Sequence, residues 1–151
     1  MTFMAQNRSK NTVTRARLKK TLMEALRESG DILYRMMPKI NRFRYKDTAK
    51  LQIVTEADIR SEAAIIRRVK KSFPDHSFLA EESAPQGSSP YRWIIDPLDG
   101  TTNYAHTFPM NCVSIACENA GEIILGGVFN PFLKELFFAE KSKGAFLKGK
   151  R

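Results

Sequence analysis

Trp93-Ile94-Ile95-Asp96-Pro97-Leu98-Asp99-Gly100-Thr101-Thr102-Asn103-Tyr104 runs from a short apolar strand into two carboxylates three residues apart, then straight into a glycine and two hydroxyls. Hard cations such as Mg²⁺ take oxygen ligands, and a pair of metals needs one carboxylate able to bridge them. Asp96 is placed to bridge. Pro97 and Gly100 predict a sharp turn on which Asp96, the Leu98 carbonyl and Asp99 converge. Beyond it, Gly100-Thr101-Thr102 falls at an expected helix N-terminus, where orphan N–H groups and the helix dipole suit a phosphate. The same residues also read as an ordinary turn, because Asp-Pro and Asp-Gly are common turn formers and a strand ending this way needs no ligand.

Two further acidic elements weigh against the plain turn. Ser77-Phe78-Leu79-Ala80-Glu81-Glu82-Ser83 repeats the pattern of an apolar strand ending in carboxylates, which sets Glu81 beside Asp96 if the two strands are neighbours. Val54-Thr55-Glu56-Ala57-Asp58 lies just before a helical pattern, and Asp58 taken alone reads as a helix N-cap.

In this order the three elements resemble the inositol monophosphatase family of metal-dependent, lithium-sensitive-type phosphatases. The family pattern of Val-Thr-x-x-Asp, Gly-Glu-Glu and Asp-Pro-Leu/Ile-Asp-Gly-Thr-x-Asn reads here as Asp58, Glu81 with Glu82, and Asp96 to Asn103. Ala80 replaces the usual glycine. The resemblance covers roughly residues 12 to 151 and implies a layered α/β sandwich of which this chain supplies the first half. A further metal-binding aspartate, in a Trp-Asp-x-x-Ala motif of the family's C-terminal half, has no counterpart, since Trp93 is the only tryptophan. The expected organisation is therefore a variable leader at 1–11 and an N-terminal metal-binding portion at 12–151, with the C-terminal half absent.

The resemblance also implies roles. Glu81, Asp96 and the Leu98 carbonyl would hold a first Mg²⁺ that activates a water, and Asp58 and Thr101 would orient and deprotonate that water. Asp96 and Asp99 would hold a second Mg²⁺ near the leaving oxygen. The N–H groups of Gly100 and Thr101 would bind the phosphate oxygens, so Glu81, Leu98, Asp99, Gly100 and Thr101 form the substrate contacts. Glu82 would support from behind, and Lys46 is a candidate electrostatic helper. Family branches acting on 3′-phosphoadenosine phosphate carry a lysine after the first threonine, and fructose bisphosphatases a Ser-Ser pair. Thr102 departs from both and favours myo-inositol monophosphate. A homodimer is implied for the full-length form.

At 151 residues the chain is long enough for one domain, and 42% hydrophobic with 27% charged residues is ordinary for a globular protein. No apolar run approaches bilayer length. Cys112 and Cys117 are an odd number apart in an expected strand, so they face opposite ways and read as reduced, buried thiols. Residues 1 to 50 hold 13 Lys+Arg against 4 Asp+Glu, which accounts for the whole net charge of +9. Three readings of that basic third compete: a solvated helix face, an acid-poor organellar targeting segment, and a patch for RNA or an acidic protein partner. No hydrophobic secretory core is present, so the expected location is cytoplasmic, with organellar targeting as the alternative.

Leu18, Leu22, Ala25, Leu26, Ser29, Ile32, Leu33 and Met36 follow helical spacing up to Pro38, and Ile59, Ala63, Ile66, Val69 and Phe73 mark a second helix from Asp58 to Pro74. Residues 39–50 read as a polar, basic loop. Short β-branched or aromatic runs at 78–80, 92–95, 112–118, 122–129, 135–139 and 145–147 read as strands, with Asn119-Ala120-Gly121 a hairpin turn. His76, after Pro74-Asp75, reads as a turn residue; His106 faces either substrate or solvent; Tyr104 and Phe108 read as core. Two helices followed by a run of strands predict an α+β fold, helices on one face of a largely antiparallel sheet.

Overall fold

The structure is a computed structural model that describes residues 13–37, 43–47 and 52–151, with backbone alone at 43–47, 52 and 53. Helix α1 (Arg15–Met36) starts at Thr14, whose hydroxyl accepts the Arg17 N–H, and it buries Leu18, Leu22, Leu26 and Leu33 completely or nearly so. Each such leucine contributes roughly 1.5–3 kcal/mol on leaving water. Strands β1 (Phe43–Asp47) and β2 (Gln52–Thr55) form an antiparallel pair, so part of the expected 39–50 loop is a strand. The run Phe43-Arg44-Tyr45-Lys46-Asp47 alternates aromatic with charged residues, but it is short and lies among basic residues that make the segment read as a loop. The expected leader at 1–11 and the Lys46 side chain lie outside what is described.

Helix α2 (Glu56–Ser72) begins two residues earlier than the spacing predicts, capped by Thr55 with Asp58 at the third helical position. Its inward face also differs from the expected stripe. Ala57, Asp58, Ser61, Glu62, Ala64, Ile65 and Val69 are buried, whereas Ile59 is 46% exposed. Polar residues occupy the first two turns of the buried face, which is why apolar spacing alone selects the wrong side.

The main sheet runs β3-β4-β5-β6-β7-β8. Its strands are β3 (Ser77–Ala80), β4 (Tyr91–Asp99), β5 (Cys112–Asn119), β6 (Glu122–Asn130), β7 (Glu135–Glu140) and β8 (Gly144–Leu147), and a five-residue helix α3 (Thr101–Ala105) follows β4. Among the described strands, only β3 and β4 pair in parallel. Helices α1 and α2 pack together on one face of this sheet, giving the expected α+β layering. Ala120 and Gly121 both take positive φ in the β5–β6 turn, the backbone that matches strand twist in a tight hairpin. The opposite sheet face carries Val128, Ala139, Phe137 and Leu147 around a groove of about 750 Å³, with Phe137 and Leu147 well exposed. Among the described residues, no helix is long and apolar enough to cross a membrane.

Candidate functional site

Parallel pairing of β3 with β4 sets Ala80 opposite Ile95, so the next residues, Glu81 just past the end of β3 and Asp96 within β4, lie side by side. The Glu81 N–H donates to the Ile95 carbonyl at 3.2 Å and fixes that register. After Asp96 the ladder to β5 slips: Asp96 faces Ser114 and Asp99 faces Cys112, so β4 carries one extra residue. The expected sharp turn at Pro97 is thus a bulge inside a continuing strand, a place where proline costs no ladder bond. The bulge re-aims Asp96, whose Oδ1 accepts the Leu98 N–H at 3.1 Å.

Burial, the charges of Glu81 and Asp99, and a hydrogen bond to Glu81 push the Asp96 carboxyl up to about 7. Two carboxyls this close hold a proton between them more readily than two negative charges. Asp99 is exposed, and its carboxylate is 3.8 Å from Cys112 Sγ.

Gly100 has φ of 88°, and a Cβ there would lie 2.9 Å from the Met110 carbonyl oxygen, so this position needs glycine on both counts. It caps α3, whose first N–H groups have no partner within the helix. The Thr101 hydroxyl lies 2.9 Å from the Leu98 carbonyl and 3.2 Å from Asp58 Oδ1. Asp58 is 1% exposed and its Oδ2 accepts from both the N–H and the hydroxyl of Thr55. Burial, the largest influence, raises its pKa against the lowering effect of the bonds from Thr55 and Thr101. Asp58 therefore serves in the capping box of α2 while reaching Thr101 on the far side of the loop.

The donor set fits a hard cation: carboxylates of Glu81, Asp96 and Asp99 with a backbone carbonyl at Leu98, all oxygen. No group of three or more His, Cys, Asp or Glu side chains among the described residues is gathered tightly enough to hold a metal as it stands.

Beneath the loop lies a layer the sequence did not single out. Ser61 Oγ donates to the Pro97 carbonyl at 2.7 Å and is itself hydrogen-bonded to Ser29 on α1. Glu62, next to it and 4% exposed, accepts the Glu82 N–H at 2.7 Å. A serine inside an apolar helical stripe, as at Ser29, was the available signal.

His76 is buried, not a turn residue. It stacks between Phe73 and Tyr91 at centroid distances of 4.5 and 4.9 Å, and its Nδ1 accepts the Trp93 indole N–H at 2.9 Å. Burial lowers its pKa to about 4. Tyr104 is core, its hydroxyl donating to the Leu33 carbonyl, but Phe108 is 55% exposed and His106 is exposed. Both cysteines are free thiols, Cys117 buried and Cys112 only partly so, which corrects the expectation that both are buried. Several N-terminal cations have local duties: Arg15 donates to the Ile124 carbonyl, Arg17 to that of Ser72, and Lys19 sits over the Phe138 ring.

Residues 14–151 match the profile of the inositol monophosphatase family. An inositol-1-monophosphatase of Synechocystis sp. is 44% identical over 126 residues, which are 82% of this chain and 44% of the relative. The Nus factor SuhB of Xylella fastidiosa is 36% identical over 126 residues, 83% of this chain and 46% of the relative. The crystal structure of the extragenic suppressor protein suhB from Bartonella henselae superposes with a TM-score of 0.85 at 37% identity, covering 89% of this chain and 53% of that one. The chain spans about half the length of the relatives it matches.

Proposed function

This chain belongs to the inositol monophosphatase family, and from that membership and its carboxylate pair we propose that it forms the metal- and phosphate-binding portion of a Mg²⁺-dependent phosphomonoesterase acting on myo-inositol monophosphate. The observation that carries this reading is the register of β3 with β4, which brings Glu81 and Asp96 together at the mouth of the Gly100 turn.

Glu81, Asp96 and the Leu98 carbonyl would hold one Mg²⁺, and Asp96 with Asp99 a second. Bound there, the ions supply positive charge that activates a water and stabilises the leaving oxygen. The chain's own residues do the rest. The Gly100 and Thr101 N–H groups bind phosphate oxygens and stabilise charge in the transition state. The Thr101 hydroxyl orients the attacking water, and Asp58 Oδ1, already in contact with that hydroxyl, takes up the proton. A carboxylate whose pKa burial has raised is a better base for this than an ordinary one.

The test is hydrolysis of inositol 1-phosphate by this chain and by a version extended to the length of its relatives. Phosphate release that requires Mg²⁺ and disappears in EDTA supports the reading. No release from the extended protein at any Mg²⁺ concentration overturns it.

A second reading is carried by the excess of +9 in residues 1–50 and by the likeness to relatives named Nus factor SuhB: the basic third binds RNA or a protein partner. RNA titrations at 50 and 200 mM salt decide it, since phosphate-mediated binding loses about 10³ to 10⁵ in affinity over that range when six to ten contacts are made. Salt-insensitive or negligible binding removes RNA as the partner of the basic third.

A further inference from the structure

Ser61 and Glu62 follow one another on α2, about 100° apart around its axis, and each reaches a different acidic strand end. Ser61 holds the Pro97 carbonyl, one residue after Asp96, while Glu62 holds the Glu82 N–H, one residue after Glu81. Both are buried. Ser61 is also backed by Ser29 from α1, so the Pro97 contact is anchored through two helices. One rigid helix therefore grips the backbone immediately behind both carboxylates.

We propose that Ser61 and Glu62 are positioning residues that set the gap between the Glu81 and Asp96 carboxylates, and through that gap the affinity for Mg²⁺. The inference rests on the metal reading above. It assigns a purpose to a feature that packing leaves unexplained, namely a polar buried face on the first half of α2. Both act on backbone groups, Ser61 on the Pro97 carbonyl and Glu62 on the Glu82 N–H. Their action is to hold the backbone next to each carboxylate in place, so that the two carboxylates meet a cation at a fixed separation.

Calorimetric Mg²⁺ titrations of the wild-type chain, Ser61→Ala, Glu62→Ala and Glu62→Gln test this, alongside thermal melts of each in EDTA. Ser61→Ala and Glu62→Ala should each weaken Mg²⁺ binding by about 10- to 100-fold, the loss typical when groups supporting a ligand are removed. Glu62→Gln should restore most of the affinity, because its amide oxygen still accepts the Glu82 N–H. A merely structural role predicts lower melting temperatures with unchanged Kd. An unchanged Kd in Glu62→Ala, or an equal loss in Glu62→Gln, overturns the inference. If Glu62→Ala fails to fold, Ser61→Ala, which removes a single hydroxyl, carries the same test. Failure of the wild-type chain to bind Mg²⁺ overturns the metal reading and this inference together, and is distinguishable because it appears before any substitution.

Discussion

Glu81 and Asp96 sit side by side one residue beyond the last registered pair of β3 and β4, Ala80 with Ile95, and their carboxyls are hydrogen-bonded. The parallel pairing produces that proximity, since an antiparallel partner would send one of the two carboxylates to the far end of the sheet. Chemistry at this site is therefore a consequence of strand direction.

The Thr101 hydroxyl is the group whose loss should separate turnover from binding. Thr101→Val keeps the side-chain shape and removes the contacts to Asp58 and the Leu98 carbonyl. Steady-state kinetics on the extended protein should show kcat lower by about 10²- to 10⁴-fold, the usual worth of positioned proton transfer, with Mg²⁺ affinity little changed. Thr101→Ser should recover activity. Wild-type kcat in Thr101→Val would remove this residue from the proton path.

Gly100→Ala is expected to damage both stability and anion binding. The new Cβ would demand a left-handed backbone, costing about 1–2 kcal/mol, and would press on the Met110 carbonyl at 2.9 Å. Urea unfolding should move to lower concentration, and phosphate affinity in the presence of Mg²⁺ should fall. Unchanged phosphate affinity would place the anion elsewhere.

His76 should make the fold acid-sensitive. It is held neutral between Phe73 and Tyr91: burial, helped by the charge of Arg17, outweighs the opposing charge of Asp75 and lowers its pKa to about 4. The unfolded chain takes up this proton near 6.5, so the stabilising contribution is complete above 6.5 and is lost as pH falls toward 4, a change on the order of 2–3 kcal/mol. Melting temperatures of His76→Gln should depend less on pH across that window than those of wild type. Identical slopes would show that other groups control acid sensitivity.

Much of this architecture is readable from local pattern. The apolar spacing of Leu18 to Leu33 and the alternating runs from Phe78 onward mark elements whose burial depends on their own residues. What could not be read depends on partners distant in sequence. His76 looks like a turn residue after Pro74-Asp75, and only the packing of Tyr91 across the sheet encloses it. Phe43–Asp47 is the local exception: its aromatic–charged alternation is short and set among basic residues, although its partner β2 begins as near as Gln52. Ser61 and Glu62 interrupt the apolar face of α2 because the backbone they hold, at Pro97 and Glu82, lies on other elements. The Asp96 bulge was anticipated as a turn, since Pro97 signals a break but does not say whether the ladder resumes at Asp99.

The most direct test of the central claim compares Mg²⁺ binding to Asp96→Asn and Glu82→Gln by calorimetry. Asp96 is the proposed bridging ligand, so replacing it with a neutral amide should abolish most binding. Glu82 meets Glu62 through its backbone N–H, which Glu82→Gln leaves in place, so that variant should bind Mg²⁺ as the wild-type chain does. Equal losses in the two variants, or full binding by Asp96→Asn, would contradict the assignment of the metal to the end of β4.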